Sequence, residues 1–189
     1  MTRRPRLAIN GFGRIGRAIT KLNMKYQKFD LALINDINPN CDNLVYLLNY
    51  DSTYGRLSQP VISSGNKMLF GENHATVTSV SDLQEISWDS LDIDVLIDSS
   101  GVSGNIAVAK DLTKRQAVRK AVVTHSSNDV DREIILGVNT DALRSDDAVV
   151  SSSICDANAI AHPLKWINDE FGIVGGSVTT LHPWLSYQN

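Results

Sequence analysis

The 189-residue chain lacks the features that mark membrane-spanning, secreted or nucleic-acid-binding proteins. No apolar run approaches the roughly 18 residues that a membrane-spanning helix requires. The basic start, with Arg3, Arg4 and Arg6, leads into a short apolar strand, whereas a secretory signal has a long apolar region there. Two cysteines, Cys41 and Cys155, are too few for a disulfide framework, so a reducing, cytoplasmic setting is expected. A net charge of -3 gives no reason to expect nucleic acid as a partner.

The composition is otherwise that of an ordinary globular protein. Hydrophobic residues make up 42% of the chain and charged residues 21%, with 12 Gly and 5 Pro. These values exclude the collagen-like, low-complexity and disordered classes. At about 150 residues per domain the length corresponds to about 1.3 domains, which is compatible with one domain plus an appendage or with two small domains.

The first 125 residues alternate short apolar runs with helical patterns, which predicts a parallel sheet covered by helices. The predicted strands cover residues 7–10, 31–35, 95–99 and 121–124. Between the first two strands, apolar residues recur at intervals of three and four, which predicts a helix over residues 14–26. The residues of this helix that we expect to pack on the sheet are Ile15, Ala18, Ile19, Leu22 and Tyr26.

The later part of the chain departs from this rhythm. Short β-rich runs separated by glycine turns within residues 55–90 predict a small antiparallel excursion from the main sheet. A strand over residues 148–152 then precedes a helix that ends at Gly172, and a last strand is predicted over residues 177–181. The residues of this second helix that we expect to face inward are Ile160, Leu164, Ile167 and Phe171.

The strongest local motif is a G-x-G-x-x-G turn that directly follows the first strand and opens the first helix. Its residues are Asn10, Gly11, Phe12, Gly13, Arg14, Ile15 and Gly16. In such a motif Gly11 allows the tight turn, Gly13 lets the backbone approach a pyrophosphate, and Gly16 lets the helix lie close to the sheet. Asp36, 20 residues after Gly16, can accept hydrogen bonds from the ribose of NAD and would repel the extra phosphate of NADP. The alternative is a structural glycine turn with Asp36 as a turn former.

Cys155 lies just after a predicted strand and at the start of a helix. The helix dipole and the free N–H groups there stabilise a thiolate, which is the nucleophilic form of cysteine. A buried, inert cysteine is the alternative. His182, 27 residues later at the end of the next predicted strand, could reach Cys155, and such a pair permits covalent catalysis on a carbonyl.

Short motifs spread over nearly the whole chain resemble the glyceraldehyde-3-phosphate dehydrogenase family, including its erythrose-4-phosphate dehydrogenase relatives. They occur in the family's order. The matching stretches are INGFGRIGR at 9–17, IND at 34–36, YDST at 50–53, SG at 100–101, GVN at 137–139, FGIV at 171–174 and TTLH at 179–182.

The resemblance implies an α/β fold with a doubly wound, mostly parallel Rossmann-type sheet that binds NAD. It places this domain in residues 1–152 and the start of a second, catalytic α+β domain in residues 153–189. By the same resemblance Cys155 is the catalytic cysteine and His182 the catalytic histidine. Further cofactor contacts are implied at Ser100, Gly101 and Thr124. The family works in glycolysis as a cytoplasmic homotetramer, and a homo-oligomer is therefore expected of the full-length protein.

The reaction implied by the resemblance is oxidation of a small aldehyde, such as a sugar phosphate. The Cys155 thiolate attacks the aldehyde to give a thiohemiacetal, while His182 acts as base and donates to the developing oxyanion. After a hydride leaves for NAD, the thioester is cleaved by phosphate or by water. Backbone N–H groups at the start of the Cys155 helix are well placed as oxyanion donors.

The residues around the nucleophile depart from the family's Ser-x-Ser-Cys-Thr-Thr-Asn-Cys signature. Ile154 replaces a serine, Asp156 replaces a phosphate-binding threonine, and Leu185 falls where a later threonine contacts the substrate phosphate. With Ser153, these positions are the candidate substrate contacts. Asp156 either repels phosphate from the pocket, by roughly 3 kcal/mol at about 5 Å, or only stabilises the helix start. We therefore expect an aldehyde with a weaker or different anionic group, or impaired acyl transfer to phosphate.

Two other functions remain compatible with the sequence. One is a non-catalytic NAD-binding homologue with a decayed active site, and the other is a semialdehyde or acyl-phosphate reductase, which also uses Cys and His. No metal site is expected, because His74, His125 and His162 lack partners at metal-ligand spacing. The 189-residue chain alone is expected to bind NAD weakly and to lack dehydrogenase activity.

Overall fold

A computed structural model describes residues 3–181, whose main feature is a nine-stranded sheet. The sheet strands are β1 (Arg6–Asn10), β2 (Asp30–Asn35), β5 (Ile62–Ser64), β6 (Lys67–Phe70), β7 (Asn73–Thr78), β8 (Ile93–Asp98), β9 (Val118–Val123), β10 (Arg132–Glu133) and β11 (Val149–Ser151). A separate two-stranded ribbon pairs β3 (Tyr50–Asp51) with β4 (Gly55–Arg56). The helices are α1 (Arg14–Tyr26), α2 (Cys41–Asn49), α3 (Asn105–Lys114) and α4 (Cys155–Phe171). Short 3-10 turns occur at Leu83–Glu85, Trp88–Ser90 and Thr140–Ala142.

The strand order across the sheet is β10-β11-β9-β8-β1-β2-β7-β6-β5. All neighbours from β10 to β7 are parallel. The six strands from β7 to β11 lie in the order β7-β2-β1-β8-β9-β11. Renumbered by their position in the chain, they have the order 3-2-1-4-5-6 of the doubly wound Rossmann fold, which reverses between β1 and β8. The α/β Rossmann-type fold predicted from the sequence is therefore confirmed.

Two hydrophobic cores lie on opposite faces of this sheet, because successive side chains of a strand alternate between faces. On one face Leu7 and Ile9 of β1 pack with α2 residues such as Leu44 and Leu48, and Ile19 and Met24 of α1 lie against this cluster. On the other face Ala8 of β1 belongs to a cluster completed by α3 and by the 3-10 turn residues. The cores fix the positions of the loops that follow the strands.

Helix α1 has the predicted bounds, but three of the five residues predicted to pack on the sheet are exposed, while Ala18 and Ile19 are half-buried. Ile15, Leu22 and Tyr26 are at least half exposed, whereas Gly16 and Thr20 are buried. At 3.6 residues per turn the three exposed residues lie about 100° around the helix from Gly16. The close contact of Gly16 with the turn before the helix selects the face that meets the sheet, and periodicity alone does not show this contact.

The antiparallel excursion is confirmed for β5 and β6, which pair with each other and join β7 in antiparallel register. Strand β7 itself is parallel to β2 and belongs to the main sheet. The excursion is therefore one hairpin added to the edge of the parallel sheet. The short edge strand β10 was not predicted, since it has only two residues and no apolar alternation.

Of the predictions for the last part of the chain, the inward face of the helix holds only in part and the final strand is wrong. Helix α4 exists and ends at Gly172, which has φ +73°, but none of its residues is buried. Ile160 and Leu164 are half-buried, whereas Ile167 is 48% exposed and Phe171 is 81% exposed, so residues 3–181 cover only part of the apolar face predicted to point inward. The segment predicted as a strand at 177–181 has no regular secondary structure and is exposed throughout. Of the helices in residues 3–181, none has the length and apolar character needed to cross a membrane.

Candidate functional site

The glycine turn lies between β1 and α1, at the point where the strand order reverses. Gly11 has φ +84°, and a Cβ there would lie 2.5 Å from the Ser100 backbone nitrogen. A Cβ on Gly16 would lie 2.2 Å from the Gly11 carbonyl oxygen, whereas a Cβ on Gly13 would have no atom within 4 Å. Gly16 is therefore required by close packing within the turn and Gly11 by close packing against the Ser100 backbone after β8, whereas Gly13 faces open space.

The first turn of α1 has the properties of an anion site. Gly13 is its N-cap and provides no side-chain cap, and the first turn contains no acidic residue. The N-terminal N–H groups of a helix and its dipole favour a phosphate at such a position. Because Gly13 and Arg14 are exposed, a ligand can approach this backbone. The residues present therefore fit the pyrophosphate of a dinucleotide.

Asp36 follows β2 and lies beside the glycine turn. Its Oδ2 atom accepts a hydrogen bond of 2.6 Å from the Phe12 N–H, and its Oδ1 atom accepts one of 2.9 Å from the Asn38 N–H. A carboxylate has about four lone-pair sites, so each oxygen retains capacity for a further donor. Asp36 is half-buried, and its position fits a carboxylate that accepts from ribose hydroxyls.

Arg17 supports the glycine turn from the helix side. Its Nη1 atom donates a hydrogen bond of 3.1 Å to the Phe12 carbonyl oxygen, and its Nε atom lies 3.7 Å from Oδ2 of Asp51. Backbone N–H groups of Tyr54 and Thr53, followed by the nearby cations, lower the pKa of Asp51. The YDST and GFGRIGR motifs are thus linked through Arg17, although the sequence analysis did not predict this contact.

A buried polar network crosses the sheet beneath the glycine turn. Asn10 Nδ2 donates to Oδ1 of Asp98 at 2.8 Å, and Asn35 Nδ2 donates to Oδ1 of Asn10 at 2.8 Å. All three side chains are at least 95% buried. They connect the ends of β8, β1 and β2, so Asn10, predicted to contact the cofactor, serves to hold the strands that carry the turns.

Ser100, Gly101 and Thr124 lie at the ends of β8 and β9, on the other side of the reversal point. Ser100 donates from both its N–H and its Oγ to Oδ1 of Asp98, at 3.1 and 2.7 Å. The Thr124 N–H donates to the Asp98 carbonyl oxygen at 3.0 Å. The three residues therefore lie at the same carboxyl-terminal edge of the sheet as Gly11.

Cys155 is the first residue of α4 and is exposed. Its N-cap, Ile154, provides no side-chain hydrogen bond to the first turn. Since α4 follows β11, which is parallel to β9 and to the central strands, Cys155 lies at the same edge of the sheet as the glycine turn. The structure thus brings the predicted nucleophile and the predicted cofactor turn to one edge.

Cys41 has a different environment. It is buried in α2, and burial, followed by the charge of Asp42, raises the pKa of its thiol. A raised pKa lowers the fraction of reactive thiolate at neutral pH. Among residues 3–181 no group of three or more His, Cys, Asp and Glu could hold a metal ion.

The candidate substrate positions are only partly within the described residues. Ser153 is buried and Asp156, in the first turn of α4, is half-buried. His182 and Leu185, predicted as catalytic base and substrate contact, lie outside residues 3–181. The pairing of Cys155 with His182 therefore stays a prediction.

Three polar residues lie near Cys155, and two of them, Glu133 and Ser126, were not predicted from the sequence. Glu133 accepts hydrogen bonds from Ser126 Oγ at 2.7 Å and from Ser153 Oγ at 2.5 Å. Asn158 Nδ2 donates to two carbonyl oxygens of the segment before Cys155, at 2.9 Å each. Asn158 and Cys155 are the residues that this chain retains from the core of the family signature. Glu133 and Ser126 belong to no motif, and only the fold brings them here.

Together, the strand order, the glycine turn at the reversal point and the carboxylate after the second strand define a Rossmann-type dinucleotide-binding domain. Residues 5–106, more than half of the chain, match the family described as "Glyceraldehyde 3-phosphate dehydrogenase, NAD binding domain". The chain belongs to this family. The resemblance inferred from the motifs is confirmed. NAD is the cofactor that domains of this family bind.

Relatives from distant organisms support the same assignment. The chain is 34% identical to "Glyceraldehyde-3-phosphate dehydrogenase, cytosolic" of Trypanosoma brucei brucei, over 97% of this chain and 54% of that protein. It is also 34% identical to "Glyceraldehyde-3-phosphate dehydrogenase" of Mycolicibacterium smegmatis, over 97% of this chain and 56% of the relative. It is 34% identical to "Glyceraldehyde-3-phosphate dehydrogenase, cytosolic" of Ginkgo biloba, over 94% of this chain and 52% of that protein. The chain spans about half the length of these relatives.

Proposed function

We propose that the chain provides the NAD-binding domain and the nucleophile of an NAD-dependent aldehyde dehydrogenase of the glyceraldehyde-3-phosphate dehydrogenase type. The observation that carries the proposal is the position of Cys155. It is exposed at the first residue of α4, at the sheet edge that also holds the glycine turn. A thiol at a helix N-terminus beside a dinucleotide site suits attack on an aldehyde.

In the proposed cofactor site, backbone N–H groups at the start of α1 hold the pyrophosphate and Asp36 accepts from the adenosine ribose. Ser100, Gly101 and Thr124 line the part of the edge between the glycine turn and α4. Asp36 disfavours a second negative charge near the ribose, so the proposed cofactor is NAD rather than NADP.

In the proposed reaction, the Cys155 thiolate adds to the aldehyde carbon and the carbonyl oxygen becomes an alkoxide. N–H groups of the first turn of α4 stabilise this oxyanion, and His182 protonates it to give the thiohemiacetal. NAD bound at the glycine turn would supply the hydride acceptor for this carbon. His182 takes up the hydroxyl proton as the carbonyl of the thioester forms. The resulting thioester is cleaved by phosphate, giving an acyl phosphate, or by water, giving the acid, and the thiolate of Cys155 is restored.

The substrate is proposed to be a small aldehyde of the sugar-phosphate type, bound less strongly through its anionic group than in the family pattern. Asp156 is half-buried in the first turn of α4, at the position of a phosphate-binding threonine. Ile154, at the N-cap, has no hydroxyl to offer an anion. A carboxylate this close to the nucleophile opposes a second anion, which favours slow acyl transfer to phosphate.

The domain boundary and the setting are part of the proposal. Residues 1–152 form the NAD-binding domain, and residues 153–189 begin a catalytic domain. Two relatives carry the word cytosolic in their names, and a cytoplasmic protein of sugar metabolism is consistent with the two thiols. We propose that the full-length protein assembles as a homotetramer, as the family does.

Alkylation by iodoacetamide tests the nucleophile. Peptide mass mapping of the 189-residue chain separates the rate at Cys155 from the rate at Cys41. We expect Cys155 to react faster than a cysteine in an unstructured peptide, and Cys41 to react more slowly than that peptide. A Cys155 rate equal to the peptide rate would favour the non-catalytic homologue.

Steady-state kinetics test the reaction itself. Protein from the full reading frame is assayed for NADH formation with glyceraldehyde-3-phosphate and with neutral aldehydes, each with and without phosphate. We expect activity that requires Cys155, is lost in Cys155→Ser, and depends weakly on phosphate. Ordinary turnover of glyceraldehyde-3-phosphate with a strong phosphate requirement would contradict the proposed role of Asp156.

A further inference from the structure

The segment that leads from β11 into Cys155 contains an unusual backbone conformation. Ser153 has φ +65° and is 3% exposed. For a residue other than glycine, the left-handed region is unfavourable, and it persists only where surrounding contacts impose it. The direction in which the chain enters α4 therefore depends on what holds Ser153.

The N–H and the hydroxyl of Ser153 are both held by other residues. Its N–H donates to Oγ of Ser151 at 2.9 Å, and Ser151 Oγ in turn donates to the His125 carbonyl oxygen at 2.7 Å. Its Oγ donates to Oε1 of Glu133 at 2.5 Å. Within the described residues, the Ser153 hydroxyl thus links the turn before Cys155 to strand β10.

Glu133 is itself fixed by the edge of the sheet. It lies opposite Ser151 in the parallel pairing of β10 with β11, and the next N–H, that of Ile134, donates to the Ser151 carbonyl oxygen at 2.8 Å. Its second carboxylate oxygen accepts from Ser126 Oγ at 2.7 Å. An ionised carboxylate only accepts hydrogen bonds, so it directs both serine hydroxyls toward itself.

We infer that Glu133 is a positioning residue, which holds Ser153 in the left-handed conformation and thereby places Cys155 at the first position of α4. Glu133 does not touch the reacting atoms. It acts through Ser153, two residues before the nucleophile. The inference rests on the proposed function, because it concerns the reactivity of Cys155.

The test compares the alkylation rate of Cys155 in variants of the 189-residue chain. We expect Glu133→Ala to slow alkylation by iodoacetamide at least about tenfold, which corresponds to about 1.4 kcal/mol in the barrier. Glu133→Gln retains an acceptor oxygen for the Ser153 hydroxyl, and we expect most of the rate to remain.

A second substitution distinguishes positioning from a general loss of structure. Glycine adopts positive φ without strain, so Ser153→Gly in the Glu133→Ala background should restore most of the alkylation rate. Neither a general loss of stability nor a direct charge effect of Glu133 would be reversed in this way.

A matched control removes a comparable hydrogen-bonded link far from Cys155. The side chain of Asn49 donates to the Val61 carbonyl oxygen at 2.8 Å and accepts from the Val61 N–H at 2.9 Å. Asn49→Ala should lower the melting temperature and leave the Cys155 rate unchanged.

The outcomes separate the inference from the proposed function. If Cys155 of the unsubstituted chain reacts no faster than a peptide thiol, the proposed nucleophile fails. If it reacts fast and Glu133→Ala reacts equally fast, the role of Glu133 is overturned. A Glu133→Gln variant as slow as Glu133→Ala, or a double variant that is not rescued by Ser153→Gly, overturns it as well.

Discussion

The Phe12 N–H donates a hydrogen bond of 2.6 Å to Oδ2 of Asp36. This bond joins the glycine turn after the first strand to the carboxylate after the second. The two parts of the predicted dinucleotide site are therefore not independent, since the carboxylate that would accept the ribose hydroxyls also fixes the backbone of the turn.

The first prediction follows from this double role of Asp36. Asp36→Asn removes the negative charge and keeps one acceptor oxygen. We expect weaker NAD binding and a smaller preference for NAD over NADP, because the charge that opposes the 2'-phosphate is gone. Titration of both nucleotides by calorimetry measures the ratio of the dissociation constants. An unchanged ratio would rule out the ribose role of Asp36.

The second prediction separates folding from binding in the glycine turn. Gly16→Ala places a Cβ against the Gly11 carbonyl, and we expect a loss of about 1–3 kcal/mol in the free energy of unfolding. The Cβ of Gly13→Ala enters open space, so we expect the free energy of unfolding to fall by less than about 1 kcal/mol. NAD binding should weaken in this variant. Urea unfolding and NAD titration of both variants check this. Equal stability losses in the two variants would contradict the packing argument.

The third prediction concerns the buried network beneath the turn. Asn10→Ala removes one hydrogen-bond partner from Asp98 and one from Asn35. An unsatisfied buried polar group costs roughly 1–3 kcal/mol. We expect a decrease of about 2 kcal/mol or more in the free energy of unfolding. Substitution of the exposed Asn66 by Ala is the control. A similar effect of the two substitutions would show that the network adds nothing to stability.

Much of the fold could be predicted from the sequence, because the first half follows local rules. The G-x-G-x-x-G spacing, the apolar strands and the bounds of α1 all agree with the structure. The face of α1 could not be predicted from periodicity, since the contact of Gly16 with Gly11 rotates the helix so that Ile15 and Leu22 face solvent. A steric contact between two glycines leaves no hydrophobic pattern.

Less of the surroundings of Cys155 could be predicted from the sequence. The helix start at Cys155 follows from the chain pattern, and so does its exit at Gly172. Glu133, in contrast, comes from a two-residue edge strand, and its contact with Ser153 spans 20 residues of chain. Parallel pairing of β10 with β11 creates this contact, and no local signal in the sequence indicates that pairing.

The fourth prediction is a pH dependence at the sheet edge. A hydrogen bond from Arg132, followed by one from the Arg144 N–H, lowers the pKa of Asp147. A lowered folded-state pKa stabilises the protein above the unfolded value of about 3.9, and this contribution is lost as the pH falls through the folded value. Asp147→Asn should therefore be less stable than the unsubstituted chain at about pH 7, and this difference should shrink below about pH 4.

Urea unfolding over a series of pH values measures this difference, with Asp146→Asn as the neighbouring control. The control should show a smaller difference at neutral pH, because Asp147 accepts the Arg132 hydrogen bonds at 2.7 and 3.1 Å. A stability difference for Asp147→Asn that is constant down to about pH 2.5 would contradict the role of the ion pair.

The most direct test of the central claim, that the cofactor turn and Cys155 belong to one site, is the effect of NAD on alkylation of Cys155. The 189-residue chain is treated with iodoacetamide at increasing NAD, and modification of Cys155 and Cys41 is followed by peptide mass. We expect a saturable slowing of alkylation at Cys155, no slowing at Cys41, and a shift of the Cys155 response to higher NAD in Gly13→Ala. A Cys155 rate that does not respond to NAD under conditions where calorimetry shows NAD bound would contradict it.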